Sequence, residues 1–156
     1  MAAVLACGEG AVLSHRSAAT LHELLNVRTG RIDVTIPHQS SLRRPGLWIH
    51  RSTCLRTEDC TAVDGIPATG VPATLLCLAA TSPRNVLESA CNKAEIRGIL
   101  DLMAIRELLA RRRSHPGATR LRAVLEVDGL GADRTKAISS ARSHGLPAST
   151  AYRSRR

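Results

Sequence analysis

The stretch from Val63 to Ala80 constrains the fold more than any other part of the chain. It opens on Asp64-Gly65, a dipeptide typical of a tight hairpin turn. The arm after the turn contains Pro67, which cannot donate a ladder hydrogen bond, so this arm should lie at a sheet edge or be very short. Gly70 and Pro72 then mark a helix start. The helix has almost no polar side chains, which predicts that it is the buried central helix.

Two earlier segments have the alternation of a half-buried strand. Residues 31–36 alternate polar and apolar side chains and stop at a proline, and residues 46–52 form a second strand with Trp48 and His50 on one face. The inward positions of the first strand are Ile32, Val34 and Ile36. We expect the two strands to pair as a hairpin, connected by the polar loop 38–45.

The N-terminal region predicts a helix, a strand and a second helix. Residues 1–7 are apolar and helix-prone, a pattern that predicts a chain beginning inside an element. Residues 11–13 are a short strand candidate, and Ser14 is a typical N-cap for a helix over 15–25. Apolar side chains recur in that helix at the i, i+3, i+4 spacing, which predicts one buried face.

Three more helices follow the central one. Ser82-Pro83 predicts a helix start with a serine cap, and the helix should run to Arg97 and end at Gly98. Asp101 is expected to cap the next helix, which ends in three arginines. Cations at a helix C-terminus favour the helix dipole, so those arginines also have a structural explanation. Residues 118–127 can form a last helix.

Composition and charge divide the chain into two parts. The chain has no Phe, one Trp and one Tyr, so its core must be aliphatic. Residues 1–105 carry ten Lys/Arg against nine Asp/Glu, whereas residues 106–156 carry twelve against four. We predict an α+β domain over 1–127, with short strands and hairpins packed against an Ala/Leu-rich helical cluster. Residues 128–156 lose apolar periodicity and are predicted to be a basic, disordered tail.

The apolar segments and the cysteines indicate a cytoplasmic protein. The longest apolar stretch is too short to span a bilayer, and the N-terminus lacks the charged and apolar regions of a signal peptide. There are five cysteines without a C-x-x-C pair, which is typical of a reduced compartment. Cys77 and Cys91 lie on apolar helix faces, where cysteine behaves as a small hydrophobe.

No residue pattern predicts a reaction, a metal ion or a cofactor. Cys54, Cys60 and His50 match no usual zinc spacing and lack a fourth ligand. Ser14-His15 has the residue types of a nucleophile and a base, but adjacent residues at a helix start rarely face each other. The acidic residues are scattered singly, whereas a metal-dependent nuclease needs clustered carboxylates. The chain is therefore expected to be non-enzymatic, with no catalytic, cofactor-binding or metal-binding residues.

Six motifs in residues 1–127 resemble the actinobacterial proteins that carry an AbiEi-type antitoxin domain. In order, they are M-A-A-V-L-A-C-G (1–8), A-V-L-S-H-R-S-A-A (11–19), I-D-V-T-I-P (32–37), V-D-G-I-P-A-T (63–69), T-L-L-x-L-A (74–79) and R-G-I-L-D-L-x-x-I-R-E-L-L-A-R (97–111). Singly each motif is weak, but together, in this order and spacing, they are fairly specific.

The resemblance implies a three-part arrangement of which this chain has the middle part. A winged helix-turn-helix that binds operator DNA usually comes first, and an endonuclease-like domain similar to very-short-patch-repair nucleases often comes last. Neither pattern is found here, although Ser143 to Pro147 looks like a remnant of the start of the last domain. The middle domain is expected to support antitoxin activity or contacts with a cognate toxin.

Two positions of the central helix depart from the family pattern. The family usually has an Arg and an Asp four residues apart, and here those positions hold Ala73 and Cys77. Losing both members of an ion pair can be nearly neutral for stability, so the fold remains tenable. The double replacement therefore bears on the function that the pair serves in the family and not on the fold.

These observations predict a non-enzymatic, AbiEi-antitoxin-like protein that is truncated or divergent, with weak binding to nucleic acid or to a toxin. The alternatives are an inactive remnant of a longer antitoxin–endonuclease-like protein and a plain protein-interaction module. The predicted phosphate-contacting residues are Arg43, Arg44, Arg111, Arg112, Arg113, Arg120 and Arg122. The oligomeric state is not indicated.

Overall fold

The computed structural model describes residues 2–26, 30–37 and 43–127, so the predicted tail 128–156 lies outside the described residues. Within them the fold is α+β, as predicted. The strands are β1 (Val12–Leu13), β2 (Ile32–Pro37), β3 (Leu47–Ser52), β4 (Cys60–Val63) and β5 (Ile66–Thr69). The helices are α1 (Ala2–Leu5), α2 (His15–Leu21), α3 (Val71–Thr81), α4 (Arg84–Ile96), α5 (Leu102–Arg111) and α6 (Ala118–Val127), with a 3₁₀ turn over Thr57–Asp59.

Helix α3 is the buried centre of the helical cluster, which confirms the prediction. It packs against α2, α4, α5 and α6, and six of its eleven residues are buried. The α5–α6 connection approaches it closely at Gly117, where a Cβ atom would lie 2.4 Å from the carbonyl oxygen of Leu76. Only glycine fits at this approach, so the break predicted from Pro116-Gly117 is also a packing contact.

The helix boundaries of the cluster follow the predicted caps in all but one case. The carboxylate of Asp101 accepts the amide N–H groups of Met103 and Ala104, each at 3.0 Å. Gly98 has a φ of 69° and ends α4. The serine cap is wrong, because α4 begins after Pro83 and the buried Ser82 hydroxyl makes no hydrogen bond.

The five strands form one mixed sheet in the order β3-β2-β1-β5-β4. The β4–β5 hairpin is confirmed, with Asp64 and Gly65 at φ angles of 50° and 73°. β5 is not an edge strand, since it lies between β1 and β4. It is short, and it pairs with β1 only through Ala68, so the missing N–H of Pro67 breaks no ladder bond to β1.

The predicted hairpin between the two polar–apolar strands is wrong, because β2 and β3 are parallel. The alternation of side chains is the same for either strand direction, so it could not distinguish them. Asp33 is paired with Trp48, and Thr35 with His50. These four side chains therefore share one face of the sheet.

β2 also differs from the prediction in its burial. Val34 and Ile36 are buried as expected, but Ile32 at the strand start is 40% exposed. Asp33 and Thr35 on the opposite face are buried as well. Both faces of β2 are thus buried in the middle of the strand, where α1 and α2 also pack against it, and its polar face forms part of the candidate site described below.

Helix α2 is shorter than predicted. It ends at Leu21, and Glu23 at a φ of 59° turns the chain. Leu24 and Leu25 lie beyond the helix but remain buried. Their apolar side chains continue the helical spacing, so the predicted helix was too long. Ser14 occupies the N-cap position without a side-chain capping bond.

The buried side chains form two clusters. The larger one holds the apolar faces of α3 to α6, and the smaller one holds the inner faces of β1, β2 and β5 with α1. Helix α2 joins them, since Ala19 belongs to the first cluster and Ala18 to the second. None of the described helices is both long and apolar enough to cross a membrane.

Candidate functional site

Three elements bring His15, Asp33 and His50 together: the start of α2, β2 and β3. The parallel register of β2 and β3 places His50 on the same face as Asp33. The start of α2 is tied to β2 by two bonds. Ser14 donates its amide N–H to the Asp33 carbonyl at 3.1 Å, and the Asp33 amide N–H donates to the Ser17 hydroxyl at 2.8 Å. The backbone thus fixes where each of the three side chains begins.

The three side chains form one compact cluster. The Nε2 atom of His50 lies 2.8 Å from an oxygen of the buried Asp33 carboxylate. The rings of His15 and His50 are stacked, with centroids 3.7 Å apart and an interplanar angle of 21°. One nitrogen of each histidine and one Asp33 oxygen lie within 4.8 Å of one another. Two imidazoles and one carboxylate are a donor set suited to divalent transition metals.

His15 has an unusual backbone and a shifted acidity. Its φ is 49°, in the left-handed region that non-glycine residues seldom adopt. Its Nδ1 atom lies 3.0 Å from the Ser14 hydroxyl, which in turn accepts the Thr35 hydroxyl at 2.8 Å. Burial, followed by the nearby His50, lowers the pKa of His15 to about 4. The imidazole of His15 is therefore neutral at physiological pH, with a lone pair free to bind a cation or a proton donor.

The cluster opens into a cleft of about 690 Å³ between the sheet and the end of α5. Its lining contains four arginines, three histidines and no carboxylate among the described residues. The basic lining residues are Arg51, Arg56, Arg111, Arg112, His15, His50 and His115. A cleft with such a lining can bind an anion that carries several oxygen atoms.

Cys77 of α3 also lines this cleft. It is half-buried at the cleft wall, whereas Cys91 is fully buried as predicted. Burial raises the pKa of the Cys77 thiol to about 11, although the His15 backbone N–H that bonds it acts in the opposite direction. The thiol is therefore protonated at physiological pH.

Two residues of α3 that lie four positions apart face different pockets. Cys77 faces the histidines, whereas Ala73 is buried beside Glu58, Asp59 and Arg111, where it lines a pocket of about 230 Å³. Arg111 lines both pockets, so its side chain already connects the two polar regions.

A second polar network lies beside the cleft, around the buried carboxylate of Asp59. Arg112 donates to one Asp59 oxygen at 2.6 Å, and Arg111 contacts the other at 3.3 Å. Arg111 also pairs with Glu58, and Arg112 donates to the carbonyl of Cys54. These bonds join the 3₁₀ turn to the end of α5 and hold both guanidinium groups at the cleft.

The structure brings only two of the seven predicted arginines into this cleft, Arg111 and Arg112. The other five lie elsewhere: Arg43 and Arg44 are exposed before β3, Arg113 and Arg122 line a groove of about 770 Å³ between α5 and α6, and Arg120 donates to the Ser82 carbonyl at 3.0 Å. Arg51 and Arg56, which line the cleft, were missed because nothing in their spacing links them to α5.

The histidine–carboxylate cluster was also missed. His15 and His50 were each considered with other partners, His15 with Ser14 and His50 with Cys54 and Cys60. The sequence did not indicate Asp33 as a site residue. It lies at a polar position of the strand, on the face that was expected to be exposed. Among the described residues the cysteines join no group of three possible metal ligands. The parallel pairing of β2 and β3 is the missing information.

No protein-family model matches the chain. Comparison with curated proteins gives no significant match.

Proposed function

We propose that this chain is a non-enzymatic, AbiEi-antitoxin-like protein of the cytoplasm that binds the phosphate groups of nucleic acid in the arginine-lined cleft. One observation carries the binding part of the proposal: four arginines and three histidines line the cleft, and no described carboxylate does. The antitoxin part is supported by the resemblance of residues 1–127.

The arginines are arranged so that binding requires little reorganisation. Arg111 and Arg112 are held by Asp59, and Arg112 is only 12% exposed. Arg56 is 63% exposed and pairs with Glu58 at 3.5 Å. A guanidinium that is held in place loses less conformational entropy when it binds phosphate, and its planar donors match phosphate oxygens.

The same ion pairs limit the affinity. Glu58 and Asp59 neutralise part of the positive charge of Arg56, Arg111 and Arg112. We therefore expect sequence-independent binding with a dissociation constant of roughly 10⁻⁴ to 10⁻⁶ M at physiological salt. Exposed Arg43, Arg44 and Arg113 add to the attraction at longer range.

Fluorescence anisotropy of a labelled DNA duplex tests this proposal. Arg56→Ala is the informative variant, since its side chain is exposed and its loss should leave the fold intact. Arg84→Ala is the matched control, because Arg84 is an exposed arginine on α4, in an (i, i+4) pair with Glu88. We expect binding that weakens between roughly 50 and 200 mM salt, and Arg56→Ala should reduce the log–log salt slope by about 0.9.

The control should keep the wild-type slope. No binding at low salt, binding that does not depend on salt, or equal effects of Arg56→Ala and Arg84→Ala would each contradict the proposal. Equal effects would indicate that DNA binding depends on the net charge of the protein and not on the cleft.

The alternative is an inactive remnant, and the Ala73 and Cys77 positions favour it. The resemblance implies an Arg and an Asp at these positions, and both are replaced here. Restoring them together, as Ala73→Arg with Cys77→Asp, should create or strengthen capture of a cognate toxin if the antitoxin role depends on that pair. Capture by the wild-type chain at equal strength would contradict the remnant hypothesis.

A further inference from the structure

We propose that His15, Asp33 and His50 bind a divalent transition-metal ion of the zinc type, with two imidazole nitrogens and one carboxylate oxygen as the protein ligands. This inference goes beyond anion binding by the arginines and does not depend on it. It rests on where the three donor atoms lie, on how the backbone holds them, and on what surrounds them.

The donor atoms are close to the separations that a zinc ion requires. With metal–ligand distances of about 2.0–2.2 Å, two ligands of a tetrahedral ion lie about 3.3 Å apart. The His50 nitrogen and the Asp33 oxygen are 2.8 Å apart, and all three donors lie within 4.8 Å of one another. The observed separations therefore differ from this ligand spacing by at most about 1.5 Å.

The surroundings of His15 support a ligand role. The Ser14 hydroxyl lies 3.0 Å from Nδ1 and can accept its proton, which leaves Nε2 with a free lone pair. Ligating histidines almost always donate their other ring N–H in this way. The left-handed φ of His15 holds the ring over His50 at some cost in backbone energy.

The three protein ligands leave part of the coordination shell open toward the cleft. His15 and His50 line that cleft, whereas Asp33 lies behind them. Catalytic-type zinc sites have three protein ligands and an open position, whereas structural sites are closed by four. A ligand oxygen in the cleft, such as a phosphate oxygen beside Arg112, could complete the shell.

Titration of the metal-stripped full chain with Zn²⁺ and Co²⁺ alone tests the proposal. Calorimetry should give one site per chain. Bound Co²⁺ should show visible ligand-field bands without the intense near-ultraviolet band of a cobalt–thiolate bond. Asp33→Asn and His50→Gln should each weaken Zn²⁺ binding by more than the roughly 10–100-fold that loss of an outer-shell partner causes.

His115→Gln is the matched control, because His115 lines the same cleft but lies outside the ligand group. It should bind Zn²⁺ like the wild type. Absence of a one-to-one site, binding that survives Asp33→Asn and His50→Gln, or a thiolate band would each overturn the proposal. A thiolate band would instead assign the metal to Cys54, Cys60 or Cys77. The cobalt spectrum of the wild-type chain remains decisive even if a variant fails to fold.

Discussion

Two buried carboxylates in this molecule have the same exposure, 6%, and different partners. Asp59 is bound by the guanidinium groups of Arg111 and Arg112. Asp33 is bound by the imidazole of His50, against which His15 is stacked. Both lie beside the same cleft. They therefore differ in the residues that bind them and not in their location.

The partners determine what each carboxylate can do. A guanidinium stays protonated at every pH at which proteins fold, and it has no lone pair to offer a metal ion. The Asp59 network is thus a structural ion pair that joins the 3₁₀ turn to α5. An imidazole can lose its proton and then donate a lone pair. The Asp33 cluster is thus the part of the cleft that can bind a metal ion.

The largest expected effect comes from breaking the arginine-bound carboxylate. Asp59→Asn leaves Arg112, which is only 12% exposed, without its anionic partner. Loss of one member of a buried pair costs about 3–5 kcal/mol, so the free energy of unfolding should fall by about 3 kcal/mol. Urea unfolding followed by circular dichroism measures this. A loss below about 1 kcal/mol would show that the network is solvated.

Breaking the histidine-bound carboxylate should cost less. Asp33→Asn retains an oxygen that can accept a hydrogen bond from His50, so only the charge is lost. We expect the free energy of unfolding of the metal-free protein to fall by about 1 kcal/mol. The same urea experiment provides the value, and a cost equal to that of Asp59→Asn would remove the distinction between the two carboxylates.

The pH dependence of stability should come from the imidazole side of the cleft. His115 accepts the Gly117 amide N–H at 3.2 Å, and burial together with Arg112 lowers its pKa. The pKa of the neighbouring His15 is also lowered, to about 4, so His15 adds a decline of the same sign, which a change at His115 leaves in place. Between the ordinary value near 6.5 and the lower folded value, the unfolded chain binds more protons, so stability falls as the pH falls.

His115→Gln should therefore flatten the decline of thermal stability below pH 6.5, measured in the metal-free protein. The size of the change is expected to be small because His115 is only half-buried. A variant with an unchanged or steeper decline would contradict the assignment of this titration to His115.

The smallest effect is expected at the exposed edge of the arginine network. Glu58 is 57% exposed and pairs with Arg56 and Arg111. Exposed ion pairs contribute about 0–1 kcal/mol, so Glu58→Gln should change the free energy of unfolding by no more than about 0.5 kcal/mol. High salt should abolish even that difference, whereas a large, salt-resistant loss would show that Glu58 belongs to the buried part of the network.

The helices α3 to α5 and the β4–β5 turn could be predicted from the sequence because their signals are local. The turn at Asp64-Gly65, the cap at Asp101 and the stop at Gly98 each depend on residues within a few positions of one another. The buried character of α3 follows from its composition alone.

The candidate site could not be predicted, because it depends on pairings between distant segments. Asp33 and His50 meet only if β2 and β3 are parallel, and alternation does not encode strand direction. His15 joins them only because the start of α2 bonds to the backbone of β2. The resemblance to AbiEi-type proteins drew attention to Ala73 and Cys77 without indicating that Cys77 faces the histidines.

The central claim is that Asp33 belongs to a metal-binding cluster and Asp59 to a structural one. The most direct test is to measure how much Zn²⁺ stabilises Asp33→Asn and Asp59→Asn. At a free Zn²⁺ concentration of 100 times the dissociation constant, a ligand of the folded state raises the free energy of unfolding by about 2.7 kcal/mol. We expect that increase in the wild type, in Glu58→Gln and in folded Asp59→Asn, and none in Asp33→Asn. An equal increase in Asp33→Asn, or its absence from the wild type, would contradict the account.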